Sequence, residues 1–228
     1  MKKKILIMAI AASLLALTVA GTSIAYFTDT EEYTNVFTTG NVEINLTEAV
    51  VAADAVGNLV ATSTRTTIND TPAEKDYGKI FPSQTIYKDP TIHNIGSEEA
   101  YVGAIIYIES TVFNSIVADD QIDEFITGLN TNATITYVKT TNGYTLYVLF
   151  ENAIAANADT GALFTGIKVF DDWDNEEMAE LKDLEIVINA YATQVSGFGT
   201  GNALTALQTA FEGTDWDNYS STALPVNP

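Results

Sequence analysis

The stretch Ala100-Tyr101-Val102-Gly103-Ala104-Ile105-Ile106-Tyr107-Ile108-Glu109 decides the fold. It is apolar at odd and even positions alike, so an extended chain here is apolar on both faces. Such a strand needs cover on both sides and belongs in the middle of a sheet. Upstream, Val42, Ile44 and Leu46 alternate with Glu43, Asn45 and Thr47, the pattern of a half-buried strand. Thr85 to Asn94 is extended but interrupted by Pro90, which suits an edge or a bulge. Downstream, Thr134–Lys139 and Tyr144–Glu151 flank Thr140-Thr141-Asn142-Gly143, a hairpin signal because Asn and Gly tolerate positive φ. Phe164–Phe170 is another strand. Leu184–Thr193 puts Leu184, Ile186, Ile188, Ala190 and Ala192 on one face. Val50–Asp76 reads as a strand followed by a long surface loop. Helical spacing marks three short segments, Asp119–Leu129, Asn175–Leu181 and Asn202–Phe211. Seven or eight strands with few helices predict an all-β, antiparallel β-sandwich.

The first 25 residues have the order of a secretory signal peptide. Lys2, Lys3 and Lys4 form a positive head, Ile5–Ala20 an apolar run, and Gly21–Ala25 a small-residue cleavage region. The alternative is an uncleaved anchor, for which 16 apolar residues are short of the roughly 20 a helix needs to span a bilayer. Removing the leader takes away three of the ten basic residues and no acid, so 203 residues remain with a formal charge of −23. Nucleic acid and anionic membrane surfaces repel such a body, while cations and basic partners are drawn to it. A membrane contact is expected only through an uncleaved leader. The chain has no cysteine, which removes thiolate metal sites and cysteine nucleophiles.

Three stretches resemble one family. The first is Gly21-Thr22-Ser23-Ile24-Ala25-Tyr26-Phe27-Thr28-Asp29 followed by Phe37-Thr38-Thr39-Gly40-Asn41-Val42. The second is Phe81-Pro82-Ser83-Gln84-Thr85-Ile86-Tyr87-Lys88 with Asn94-Ile95-Gly96-Ser97, where Ser83 stands in place of the family's glycine. The third is Ile188-Asn189-Ala190-Tyr191-Ala192-Thr193-Gln194. They are similar to the TasA/camelysin family of bacterial surface proteins. The resemblance implies a jelly-roll-like sandwich and cleavage between Ala25 and Tyr26 by a SipW-type signal peptidase. It also implies head-to-tail assembly into biofilm matrix fibres by donor-strand exchange. The freed segment, Tyr26 to about Val36, would then add a strand to the next subunit. Tyr26, Phe27, Tyr33, Val36 and Phe37 supply apolar anchors for such docking. Thr28-x-x-Glu31 also matches a helix capping box, and a strand pairing within its own domain is a further alternative.

Camelysin-type relatives have been described as metallopeptidases. A zincin motif needs two histidines at i and i+4, and the chain has one, His93. The same count leaves His93 as the only base for a Ser–His–Asp site, and no Gly-x-Ser-x-Gly elbow accompanies it. The carboxylates Asp171, Asp172, Asp174 and Glu176 are the best candidates for Ca²⁺, with Asp215-Trp216-Asp217-Asn218 a second acidic run. Their alternative is a solvated loop leading into a helix whose N-terminus favours acids.

The expected organisation is a leader (1–25), a possible donor segment (26–36), a β-sandwich (37–195) and a C-terminal helical appendage with a tail (196–228). The expected role is a secreted structural subunit at a bacterial cell surface or matrix. It acts by strand addition, without enzymatic activity and with no cofactor beyond Ca²⁺. The alternatives are a monomeric, Ca²⁺-dependent surface module and a peptidase.

Overall fold

The computed structural model describes residues 28–30, 41–54, 59–67, 80–110, 113–118, 121–180, 184–199 and 201–219. Twelve strands are described: β1 (Thr28–Thr30), β2 (Ile44–Ala53), β3 (Leu59–Thr67), β4 (Thr85–Tyr87), β5 (Thr91–Asn94), β6 (Ala100–Glu109), β7 (Ile126–Thr127), β8 (Thr134–Lys139), β9 (Gly143–Leu149), β10 (Asp159–Ala162), β11 (Gly166–Lys168) and β12 (Glu185–Gln194). Four short helices accompany them: α1 (Phe113–Ile116), α2 (Ile122–Phe125), α3 (Asn175–Glu180) and α4 (Ala203–Ala210), with a 3-10 turn at Asp215–Asn218. Pairing is antiparallel throughout, in sheets of order β1-β12-β6-β9-β8, β10-β5-β2-β3 and β4-β11-β7. The all-β antiparallel sandwich expected from the sequence is the fold observed.

β6 lies at the centre of the five-stranded sheet, and its two parities enter two different cores. Ala100, Val102, Ala104, Ile106 and Ile108 face an inner core shared with Val42, with Ile44 and Leu46 of β2, with Ile92 of β5 and with Ile167 of β11. Phe113 and Phe125, from α1 and α2, close that core with an edge-to-face contact at 5.2 Å. Tyr101 and Ile105 face the opposite side. There Tyr147, Leu149 and Tyr191 of the same sheet are covered by Ala203, Ala206 and Leu207 of α4, by Phe211 and by Trp216. Gly103 leaves the room that Trp216 fills: a Cβ there would lie 2.6 Å from the indole ring. The layers are thus the two smaller sheets, the large sheet, and a C-terminal helical cover.

Several sequence expectations change in detail. Among the described residues of Asp119–Leu129 the helix is α2, which ends because Ile126 and Thr127 leave it to pair with Ile167 and Gly166. Pro90 separates β4 from β5, which belong to different sheets. Within Val50–Asp76, read as a strand and a long loop, the strand is β3, a full partner of β2. At the hairpin, Gly143 has φ +152° and passes so close to Ile108 that a Cβ would sit 1.9 Å from the Ile108 carbonyl oxygen.

Candidate functional site

The N-terminal segment meets the body at the edge of the large sheet. Thr28, Asp29 and Thr30 pair with Thr193, Ala192 and Tyr191 of β12. Of the helical and extended readings of this segment, the described part is extended. The junction Ala25–Tyr26 and the anchors Tyr26, Phe27, Tyr33, Val36 and Phe37 lie outside the described residues. β1 covers three of the ten residues of β12, and among the described residues no strand pairs with Glu185–Ala190 on that side. Burial follows the same division. Ala190, Tyr191, Ala192 and Thr193 are buried, whereas Ile186, Ile188 and Asn189 are half-exposed and Val187 is 38% exposed. An edge with unsatisfied N–H and C=O groups beside part-covered apolar side chains is the physical requirement for strand addition.

The acidic run serves a helix end. Asp174 precedes α3, its Oδ1 accepting from the Glu176 amide at 2.6 Å while Glu177 Oε2 accepts from the Asp174 amide at 3.0 Å. This is a reciprocal capping box. Hydrogen bonding with the Glu177 side chain, and then with the Glu176 amide, holds the Asp174 carboxyl below its ordinary range. Asp171, Asp172, Asp174 and Glu176 are exposed, and Trp173 between them is buried against Phe170 and Phe125. In the second run, Asp215 accepts the Tyr107 hydroxyl and Asp217 accepts the Gly213 amide at 2.8 Å. Among the described residues, no group of three or more His, Asp or Glu side chains stands close enough to hold a metal ion.

His93 opens onto a shallow groove of about 320 Å³ lined by Asn45, Thr47, His93, Asn94, Ile95 and Asn157. Its Nε2 lies 2.8 Å from Thr47 Oγ1 and its Nδ1 3.9 Å from Asp159 Oδ2. Thr47 also accepts from Nε of Arg65 at 3.1 Å. The Arg65 guanidinium bonds the Asp89 carboxylate, the Asp89 carbonyl and Thr91 Oγ1. Asp89 further accepts the Ala49 amide at 2.7 Å and the Tyr87 hydroxyl at 3.3 Å. Beside this network, Lys88 pairs with the buried Glu48 at 2.7 Å. No catalytic motif marks this polar lattice. Its signal in the sequence is that Arg65 is the chain's single arginine.

The family model described as camelysin metallo-endopeptidase matches residues 1–63. That span includes β1, β2 and the first half of β3, and it contains no histidine. No curated protein and no solved structure matches the chain. The match corrects the expectation of a protein without enzymatic activity, because the family carries the description of a peptidase. A catalytic zinc takes about three protein ligands plus water. The described residues offer His93 with Asp159 and no third partner, so they do not fit a resident catalytic zinc. Over residues 1–63, then, the chain is similar to the camelysin family.

Proposed function

We propose that the protein is an exported structural subunit that assembles by strand donation at the β12 edge. The half-paired β12 supports this reading. The edge that takes Thr28–Thr30 within one molecule has six further residues, Glu185–Ala190, without a described partner on that side. A neighbour's N-terminal segment entering in the register of β1 would set Tyr33 opposite Ile188 and Asn35 opposite Ile186. Opposite residues of an antiparallel ladder share a face, so Tyr33 would then meet the inner core that Ile186 and Ile188 leave part-covered. Each added backbone hydrogen bond contributes on the order of 1 kcal/mol net, and the buried ring adds to that. A contact in which one surface gives and a different one receives does not close on itself, and propagates as a filament.

The test compares the chain beginning at Tyr26 with one lacking Tyr26–Asn35, by electron microscopy. Fibres from the first and none from the second support strand donation. Monomers from both sink it, and if Ca²⁺ then raises their melting temperature the protein is a calcium-dependent surface module.

Endopeptidase activity is the second reading, favoured by the family description. Cleavage of casein by the purified protein, abolished by a chelator and restored by Zn²⁺, is its signature. The two roles are measured independently, and one chain can carry both.

A further inference from the structure

The edges of the three sheets are unequally guarded. A bare edge strand offers outward N–H and C=O groups to any other chain, and proteins blunt such edges with bulges, short strands, charge or cover. β3 spends two extra residues between Ala61 and Arg65 against Ala49–Val51 of β2. β10 has an irregular register against β5. β4 and β7 are three and two residues long. β12 is partly covered by β1. β8 has neither bulge nor cover, and a single charge at its end. Its six residues pair with β9 without a register break, and among the described residues no strand lies beyond it. It contains no proline and no acid. Its one charge, Lys139, sits 5.9 Å over the Tyr144 ring of the same hairpin.

Charge separates this edge from the rest of the surface. The chain carries 30 acidic residues, yet residues 125–150 contain none. Two copies of a chain at −20 repel each other. The β8–β9 hairpin is a place where they can meet without setting carboxylate against carboxylate. Ile135, Tyr137 and Val138 are half-exposed there, so the approach also removes apolar surface from water.

We propose that β8 is a self-association edge, at which two copies pair β8 with β8 antiparallel about a two-fold axis normal to the large sheet. The arrangement is isologous. Ile135 and Tyr137 pack on the inner core in each copy, and the two-fold keeps both pairs on one side of the joined sheet. The N-terminal segment takes no part, so this contact stands or fails separately from strand donation.

The absence of native cysteine permits a direct test. Spin labels are placed at Thr134→Cys in β8 and, as control, at Thr64→Cys in β3, both at exposed positions. Strand spacing of ~4.8 Å and a rise of ~3.4 Å per residue predict coupling between Thr134 labels within about 20 Å. The coupling should grow with protein concentration and be absent for Thr64. Thr134→Glu should weaken association about tenfold in sedimentation equilibrium, with an unchanged melting temperature. The pairing is overturned by no coupling at Thr134, by equal coupling at both positions, or by association indifferent to Thr134→Glu. Coupling of Thr134 to a label at Tyr33→Cys, in place of its own counterpart, would identify a donated N-terminal strand as the occupant and overturn the two-fold.

Discussion

Ser83 holds its backbone at φ +67°, a region that L side chains adopt at a cost of about 1–2 kcal/mol. Its amide still reaches the Phe170 carbonyl at 3.4 Å, and the Gln84 amide closes the turn onto the Phe81 carbonyl at 3.2 Å. The turn therefore has a shape suited to glycine, with serine bearing the strain. Ser83→Gly should raise stability by about 0.5–1 kcal/mol, the relief being partly offset by the freer unfolded chain, as read from urea unfolding. The position was legible in the sequence through the resemblance, but its left-handed backbone was not, because serine does not announce that conformation. Tyr107 shows the opposite limit. Its place on the outer parity of β6 could be read from alternation, whereas its bond to Asp215, 108 positions away, depends on how the C-terminal segment folds back. Burial, and then that bond, push the Tyr107 phenol well above its ordinary 10.0. The neutral phenol is the folded form, so its contribution is complete below pH 10 and declines as the unfolded chain begins to ionise above it. Tyr107→Phe should therefore flatten the loss of stability between pH 10 and 12, followed by circular dichroism.

Among the elements, β6 and the β8–β9 hairpin were readable because their signals are local. One is apolar at every position that matters, and the other has Asn142-Gly143 between two apolar runs. β3 was readable only as a strand somewhere in Val50–Asp76, since Leu59–Thr67 is mostly threonine, alanine and serine, exposed on both faces, and shows no period that would set its bounds. Its existence depends on β2, whose hydrogen bonds it completes. The acidic run was legible as chemistry but ambiguous in purpose. Asp174-x-x-Glu177 is the spacing of a capping box, and the helix end uses it that way. The same scale makes a prediction for β12. Amides of Glu185–Asn189 that point away from β6 should exchange with deuterium much faster than those opposite β1 at Tyr191–Thr193. Uniform protection along all ten residues of the isolated molecule would show the edge to be covered and remove the support for strand donation.

For the whole molecule, charge and association pull against each other. At a formal −20, copies approach against a long-range field that salt shortens, from a screening length of about 10 Å at 0.1 M to about 3 Å at 1 M. Assembly followed by light scattering should therefore speed up with ionic strength. Slower assembly in salt would mean that opposite charges, and not backbone pairing, bring the copies together.

The cover on the outer face of β6 has a consequence for biogenesis. Tyr101, Ile105, Tyr147 and Tyr191 are shielded by Leu207, Phe211 and Trp216, which come late in the order of synthesis. A nascent chain that has already built its central strands still presents a greasy aromatic flank until the segment around Trp216 emerges.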